Sequence, residues 1–372
     1  MGESQRKELL GPVRSLVVKL GTSVLASPQG RLDTALIQRI ADQVQALEER
    51  GLKVAIVSSG AIGAGLGDLG LQKRPETLPE LQGCAAVGQA KLMAIFDEAF
   101  RRYGRHAAQI LLTRSDMEDR DRYLNVRNCI HALQAYGAVP VINENDTVAV
   151  DEIRFGDNDI LAAMVTNLLR ADLLVLLTTV EGLYRDAARA ETFDVVEDLE
   201  AVTGAADASK SALGTGGMRS KLEAVAKVVA AGELCVIADG RRPNVLADLL
   251  AGQAVGTLFL PKARKLKSRR RWLGLTRRPR GRLIVDEGAA AALRARKSLL
   301  AIGILRAEGP FEAGDVVLVA DAAGRELAQG LSNYSSKDVD KIKGLHTRAF
   351  RAALGSHPYD EVIHADNLVL MA

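Results

Sequence analysis

Two clusters of acidic and amide side chains lie within one short stretch of the sequence, and they suit the binding of a cation or an ammonium group. The first cluster, Asn-Glu-Asn-Asp at residues 143–146, ends the apolar run 139–142, which predicts a buried strand. The second, Gly-Asp-Asn-Asp at residues 156–159, precedes an apolar-periodic run and puts Asp157 where a helix N-cap is expected. We therefore expect both clusters at a sheet edge where a strand ends and a helix begins, the place where open α/β sheets bind ligands.

Capping and turn formation offer a simpler explanation for part of this pattern. They account for Asp157 and for Asn145, and the alternating residues 148–155 between the clusters predict a small hairpin. Five acidic or amide groups with few basic residues beside them need a counter-charge or a hydrogen-bond partner, which caps alone do not supply. The sequence therefore favours a binding site over capping alone.

Three glycine-rich segments are placed where backbone N–H groups could cradle a phosphate. Residues 19–23 and 59–63 each follow a predicted strand, and residues 214–221 open a predicted helix that runs to about residue 231. Taken singly, the first two segments have simpler explanations. The lysine of residues 19–23 could be solvated at a strand end, and residues 59–63 could form a tight turn. Lys221 opposes the helix dipole, so we expect an anion beside it. We expect both Lys19 and Lys221 to be surface loop residues.

Two common nucleotide-binding motifs do not apply. None of the glycine-rich segments has the spacing of a Walker loop. Gly65, Gly67 and Gly70 match the dinucleotide pattern Gly-x-Gly-x-x-Gly, but they do not directly follow a strand, and no acidic residue ends a following strand at the right distance. We interpret this segment as a flexible glycine loop.

The motifs together indicate phosphoryl transfer. Lysines and glycine amides would face an anion, and an acidic cluster beside them would face a cation. A carboxylate acceptor would need no general base, because its pKa of about 4.3 leaves it ionised at neutral pH. The barrier is then the repulsion between the acceptor and a triphosphate, which lysines and Mg²⁺ reduce. This chemistry needs no catalytic histidine or cysteine.

Alternating strands and helices predict a doubly wound parallel sheet that positions these groups. The predicted strands are residues 15–20, 53–57, 107–112, 139–142, 173–177 and 234–237, and the predicted helices are residues 32–49, 82–103 and 119–136. Asp33 is placed to cap the first of these helices and Gly51 to end it.

Length and composition indicate two domains. The chain has 372 residues, of which 48% are hydrophobic, and its net charge is +3. Residues 261–282 hold eleven Lys and Arg and no acid, so without them the net charge of +3 becomes −8. We predict a first domain over residues 1–260, a basic linker over 261–281 and a small β-rich domain over 282–372.

The three cysteines favour a cytoplasmic protein without a cysteine-ligated metal. Cys84, Cys129 and Cys235 are far apart and lie in apolar periodic segments, so we predict that all three are buried core residues. Neither a signal peptide nor a membrane-spanning run is visible in the sequence.

With these motifs in place, the chain closely resembles the bacterial glutamate 5-kinases of the amino acid kinase family. The matching segments are residues 17–23, 57–62, 141–146, 155–159 and 214–221, followed by 286–289, 314–316 and 330–334. The last three resemble the PUA domain that many of these kinases carry. The resemblance implies a three-layer α/β/α sandwich with a mostly parallel central sheet, the amino acid kinase fold, followed by a small β-rich PUA domain.

The resemblance also implies an activity and the residues that carry it. The family phosphorylates the side-chain carboxylate of L-glutamate with ATP, the first step of proline biosynthesis. Lys19 and Lys221 would contact the phosphates, and Asp159 would orient both lysines. The nucleotide site would be lined by Lys19, Thr178, Thr179, Thr215, Gly216, Gly217, Met218, Arg219, Ser220 and Lys221.

Ser59, Asp146 and Asn158 would hold glutamate, with the aspartate taking the substrate ammonium group. The family uses Mg²⁺ with ATP, and we expect no protein side chain to be a metal ligand. Further expected partners are proline as a feedback inhibitor, copies of the same chain in a homo-oligomer, and a glutamyl phosphate reductase.

The sequence departs from the family at two places near the expected nucleotide site. Thr179 replaces a usual aspartate, and residues 185–193 lack the usual Asp-Pro-Arg. Two alternatives to the glutamate kinase stay open: an RNA-binding PUA protein, suggested by the basic linker, and a sister amino acid kinase with another carboxylate acceptor. Aromatic residues for base stacking are nearly absent from the linker, which weighs against RNA.

Overall fold

The chain divides into two compact units, one over Met1–Lys265 and one over Leu266–Ala372. The computed structural model describes residues 3–26, 32–148, 158–186, 191–199, 201–202, 217–261, 279–355 and 359–371. Nearly all of the predicted basic linker lies outside these residues, so its limits stay a prediction. Among the described residues, no helix is long and apolar enough to cross a membrane.

An eight-stranded sheet forms the centre of the first unit. The strands of this unit are β1 (Ser15–Leu20), β2 (Lys53–Val57), β3 (Ala107–Leu112), β4 (Val139–Glu144), β5 (Leu173–Thr178), β6 (Tyr184–Asp186), β7 (Glu191–Thr192), β8 (Val195–Val196), β9 (Leu234–Asp239) and β10 (Thr257–Phe259). The sheet order is β3-β4-β2-β1-β5-β9-β10-β8, and β6 pairs with β7 outside it. Each neighbouring pair is parallel except β9 and β10, which confirms the predicted mostly parallel sheet.

Helices cover the sheet on both sides. The helices of this unit are α1 (Glu3–Leu10), α2 (Thr22–Leu25), α3 (Thr34–Glu49), α4 (Ala61–Asp68), α5 (Leu78–Arg101), α6 (Arg114–Glu118), α7 (Arg120–Ala135), α8 (Asp159–Leu169), α9 (Gly217–Ala230) and α10 (Val245–Leu250). One apolar core joins Leu16 and Val18 of β1 to α3, α5 and α10. Val17 points to the other face and is buried as well, so β1 is covered on both sides, as a parallel strand requires.

Local signals fixed several helix ends. Asp33 caps α3 by accepting a hydrogen bond from the Leu36 N–H at 2.9 Å, as predicted. The helix predicted over 82–103 begins four residues earlier, at Leu78. Pro79 lies in its first turn, where a missing N–H costs nothing because no intrahelical partner exists there. The hairpin predicted for 148–155 lies almost entirely outside the described residues.

The interpretation of residues 65–70 as a flexible loop is wrong. Gly65 and Gly67 lie inside α4, which packs against α5. A Cβ added to Gly65 would lie 1.8 Å from the Cys84 carbonyl oxygen, and one added to Gly88 would lie 1.8 Å from the Ala61 carbonyl oxygen. These glycines therefore let the two helix backbones touch.

One of the three cysteines also departs from its prediction. Cys84 and Cys235 are buried, as expected, whereas Cys129 is exposed. Helix α7, which carries Cys129, buries only Tyr123 and Ile130, seven residues apart and therefore on one narrow stripe. Cys129 precedes Ile130 by one residue, about 100° around the helix, and so falls outside that stripe.

The second unit is built on a five-stranded sheet, which confirms the β-rich expectation. Its order is β12-β11-β13-β14-β15, with only β11 and β13 parallel. The elements are β11 (Gly281–Val285), β12 (Ile304–Glu308), β13 (Val316–Asp321), β14 (Glu326–Leu331), β15 (Leu368–Leu370), α11 (Glu287–Arg294), α12 (Ser336–Ile342), α13 (Phe350–Leu354) and 3₁₀ turns at Ala301–Gly303, Thr347–Ala349 and Ala365–Asn367. A separate apolar core lies within this unit.

Candidate active site

The candidate site lies at the carboxyl edge of the central strands. Strands β4, β2, β1 and β5 are adjacent and parallel, so their carboxyl ends share one edge of the sheet. Helix α8 begins at the same edge, because Asn158 immediately before it bonds to the segment that follows β2. Helix α9 reaches it through Lys221, whose ammonium group contacts the first residue of α8.

Asp159 joins the two lysines that sequence analysis singled out. Its Oδ1 lies 2.7 Å from the Lys19 Nζ, and its Oδ2 lies 2.8 Å from the Lys221 Nζ. The Asp159 side chain is fully buried, and the side chains of Lys19 and Lys221 are only 4% and 13% exposed. The expectation that both lysines are surface loop residues is therefore wrong: Lys19 lies inside β1 and Lys221 inside α9.

The elements explain why three charges can be buried together. Asp159 is the first residue of α8, where the helix dipole stabilises a carboxylate. Lys221 lies in the opening turns of α9, and its Nζ also lies 3.2 Å from the Gly217 carbonyl oxygen, which accepts its hydrogen bond. Asp159 thus supplies the negative charge that the position of Lys221 requires. Two ammonium groups meet at one carboxylate, and two cationic groups gathered at the sheet edge suit an anionic ligand.

A second buried group, made of amides, lies beside this charge cluster. The Asn158 Nδ2 donates to the Ser58 carbonyl oxygen at 2.6 Å and to the Asn143 Oδ1 at 2.7 Å. The same nitrogen lies 3.2 Å from the Ser59 Oγ. Among the described residues, the buried Asn158 Oδ1 has no hydrogen-bond partner.

The predicted cap of α8 is one residue too early. Asn158, not Asp157, occupies the N-cap position, and its side chain makes no capping hydrogen bond because its amide is engaged with the segment after β2. Asp157 itself lies outside the described residues. Capping therefore does not explain Asn158.

Asp146 follows β4 and is half-buried. Burial raises the pKa of its carboxyl group from 3.8 to about 6, and the positive charge of Arg74 acts in the opposite direction. A half-buried carboxylate with a raised pKa is suited to a cationic partner, which would restore its ionised form.

The residues predicted to line the nucleotide site are described only in part. Thr178 ends β5 and is half-buried, and Thr179 after it is exposed. Gly217 to Lys221 form the first turns of α9, with Arg219 exposed and the Ser220 Oγ 3.5 Å from the Asp159 Oδ2. Thr215 and Gly216 lie outside the described residues.

The structure brings two further residues to the site: Asn143, which the sequence analysis named only as a member of the first cluster, and Gln89, to which it assigned no role. Asn143 accepts the hydrogen bond from Asn158, and Gln89 of α5 accepts one from the Asn143 Nδ2 at 2.8 Å. A signal for Gln89 was present: it lies at helical spacing among the buried Leu81, Ala85 and Leu92 of α5. A polar residue on such a face needs a buried partner.

Two family models match the chain. The model described as the amino acid kinase family matches residues 14–239, and the model described as the PUA domain matches residues 281–354. The first match contains the whole charge cluster and the amide group, and the second covers most of the five-stranded unit.

Curated relatives match nearly the full chain. The glutamate 5-kinase of Caldanaerobacter subterraneus subsp. tengcongensis is 46% identical over 365 residues, which are 96% of this chain and 97% of that protein. The glutamate 5-kinases of Citrifermentans bemidjiense and Pelobacter propionicus are 45% and 44% identical over 372 residues, 98% of this chain and 100% of each relative. Similarity to these kinases therefore extends through both units.

Proposed function

The chain belongs to the glutamate 5-kinases of the amino acid kinase family, and on that basis we propose that it phosphorylates the side-chain carboxylate of L-glutamate with ATP. The product is L-glutamyl 5-phosphate, and the reaction is the first step of proline biosynthesis. The observation that carries the proposal is the buried cluster of Asp159, Lys19 and Lys221, which gathers two ammonium groups around one carboxylate at the sheet edge.

The reaction needs charge neutralisation rather than proton transfer. A side-chain carboxylate oxygen of glutamate attacks the γ-phosphorus of ATP, the bond from that phosphorus to the β–γ bridging oxygen breaks, and ADP leaves. The acceptor is already ionised at neutral pH, so no base is required. Lys19 and Lys221 stabilise the charge that develops on the transferred phosphoryl group, and Asp159 holds both ammonium groups towards one point.

Glutamate is proposed to lie against the amide group. The unpartnered Asn158 Oδ1 is an acceptor available to the substrate ammonium, and Asp146 supplies the charge for the same group. The Ser59 Oγ lies close enough to accept from Asn158, so its own proton is available to a substrate carboxylate. The described residues thus offer acceptors for an ammonium and a donor for a carboxylate.

Mg²⁺ is proposed to arrive with the nucleotide. The described residues contain no group of three or more His, Cys, Asp or Glu that could hold a metal ion. Mg²⁺ is commonly carried by substrate phosphates with few protein ligands, and on this ground the ion is proposed to bind together with ATP. When bound, the ion would reduce the negative charge of the phosphates.

The remaining family properties are also proposals for this chain. They are a kinase domain over residues 1–260, a cytoplasmic location, inhibition by proline, assembly of several copies and delivery of the acyl phosphate to a glutamyl phosphate reductase. The match to the PUA domain keeps RNA as a second candidate ligand of the C-terminal unit.

The test is a coupled assay of ADP release with glutamate, N-acetylglutamate, aspartate and carbamate as acceptors. We expect release with glutamate only, and trapping with hydroxylamine should give the hydroxamate that an acyl phosphate forms. Release with another acceptor but not with glutamate would assign the chain to a different kinase activity.

A further inference from the structure

Gln89 is a buried polar residue on α5 that sequence reasoning left without a role. Its side chain is 8% exposed, and its Oε1 accepts a hydrogen bond from the Asn143 Nδ2 at 2.8 Å. The Asn143 Oδ1 in turn accepts from the Asn158 Nδ2 at 2.7 Å. Three buried amides therefore form a continuous row from α5 to the residue proposed to hold the substrate.

Backbone groups fix the orientation of Asn143 and Asn158, and the orientation of Gln89 follows from that of Asn143. The Glu144 backbone N–H donates to Asn143 at 2.9 Å, so the atom it meets must be the oxygen. The Asn143 Nδ2 must then face Gln89, which has to present its oxygen. At the other end, Asn158 must turn its nitrogen towards the Ser58 carbonyl oxygen and the Asn143 Oδ1. Its own oxygen then meets no partner within the described part of the chain.

Two buried polar atoms of the row have no protein partner among the described residues. They are the Asn158 Oδ1, an acceptor, and the Gln89 Nε2, a donor. Both residues are more than nine-tenths buried, and buried polar atoms are nearly always hydrogen-bonded. The acceptor left open at Asn158 suits a ligand that carries an ammonium group.

The packing of α4 and α5 holds Gln89 at this distance. Its neighbour Gly88 lies so close to α4 that a Cβ would be 1.8 Å from the Ala61 carbonyl oxygen. Ala61 is the first residue of α4 and follows Ser59 by two positions. Gln89 therefore cannot move along the helix face without moving the segment that carries Ser59.

We infer that Gln89 is a positioning residue for the acceptor: through Asn143 it fixes the amide of Asn158 with its oxygen towards the substrate ammonium. The inference rests on the proposed function, because it assumes that Asn158 contacts the acceptor. Without the Gln89 oxygen, the Asn143 Nδ2 would be buried without its partner, so the Asn143 side chain would move to find another one. The Ser58 carbonyl oxygen would then hold Asn158 without the full support of the Asn143 oxygen. The affected quantity is affinity for the acceptor, not for ATP.

The test replaces Gln89 by a residue of similar size that cannot accept the hydrogen bond. We expect Gln89→Met to raise KM for glutamate about 3- to 10-fold, the effect of losing one neutral hydrogen bond, with KM for ATP unchanged. Gln89→Asn is the second variant: it keeps a buried amide but shortens the side chain by about 1.5 Å, which breaks the contact with Asn143. It should show the same rise even if Gln89→Met does not fold.

Gln43 provides the matched control. It is a glutamine of similar burial, 9% exposed, whose Nε2 donates to the Arg39 carbonyl oxygen and whose Oε1 accepts from the Leu246 N–H. Gln43→Met should lower the melting temperature and leave both KM values unchanged. In an Asn158→Ala background, Gln89→Met should add no further rise in KM for glutamate, because the two residues act in series.

Several results would overturn the inference. They are an unchanged KM for glutamate in folded Gln89 variants, an equal rise in KM for ATP, or full additivity with Asn158→Ala. Failure of the proposed function would look different: the wild-type protein would not release ADP with glutamate. The comparison of variants would then be made with whichever carboxylate the wild type phosphorylates.

Discussion

Gly88 of α5 rests directly on the carbonyl group of Ala61, the first residue of α4. This contact joins the helix that carries Gln89 to the segment that carries Ser59, so two parts of the proposed acceptor site move as one body. A methyl group at position 88 would meet backbone atoms, which cannot yield as a flexible side chain can.

The first prediction concerns this contact. Gly88→Ala should destabilise the protein by about 1–3 kcal/mol, the usual cost of overpacking, and should raise KM for glutamate because the helices are pushed apart. Thermal unfolding and steady-state kinetics would measure both effects. Gly83→Ala on the same helix is the control: its added Cβ would meet nothing within 4 Å, so it should stabilise by about 0.5–1 kcal/mol and leave KM unchanged.

The second prediction concerns the shared carboxylate. Lys221→Met should lower kcat by about two to four powers of ten, because a group that stabilises developing charge is removed. The fold should survive, since Asp159 keeps Lys19 as its partner. Lys53→Met, at the exposed amino end of β2, is the control and should change neither kcat nor KM. Retention of more than a tenth of kcat by Lys221→Met would exclude Lys221 from the mechanism.

The third prediction concerns pH. The pKa of Asp146 is raised to about 6, so in the folded protein this carboxyl group is ionised above that pH and neutral below it. Only the ionised form can pair with an ammonium group, so KM for glutamate should be constant well above pH 6 and rise as pH falls, approaching tenfold per unit.

Asp146→Asn supplies the comparison for that profile. The variant should have a high KM for glutamate that no longer changes across pH 6, while its KM for ATP stays near the wild-type value. A variant that keeps the wild-type pH profile would show that another group titrates. An equal loss of ATP affinity would show that Asp146 does not act on glutamate alone and would contradict this prediction.

The fourth prediction concerns the division of the chain. The charge cluster and the amide group lie before residue 231, and the first unit has an apolar core of its own. A protein truncated after Leu260 should therefore keep glutamate-dependent ADP release. In the same experiment, we expect the 261–372 fragment to bind RNA weakly. The affinity should fall steeply as the salt concentration rises, because the release of counterions from the RNA phosphates would drive the binding. Tight, sequence-selective binding at physiological salt would favour RNA recognition.

The sequence predicted the elements well where the signal was local. Strand 15–20 and the Asp33 cap of α3 follow from hydrophobic runs and capping chemistry within a few residues. The partners of the site side chains could not be predicted in this way. The burial of Lys19 and Lys221 depends on their shared contact with Asp159, which joins three elements far apart in the sequence.

The glycines of α4 also show that local signals do not predict contacts between elements. Gly65 and Gly67 look like a loop because glycine is a poor helix former, and the chain nevertheless forms a helix there. Close packing against α5 outweighs the lost propensity, and that packing depends on a glycine 23 residues away, at position 88.

The Asp159 carboxylate, which Lys19 and Lys221 share, also affects when the site can form during synthesis of the chain. Lys19 belongs to the first strand and Lys221 to a helix near the end of the kinase family match, so the cluster cannot form until most of that region has left the ribosome. Until then, Lys19 and Asp159 lack the third charge of the cluster. If the cluster binds the phosphates of ATP as proposed, nucleotide would stabilise only a chain in which this region is complete.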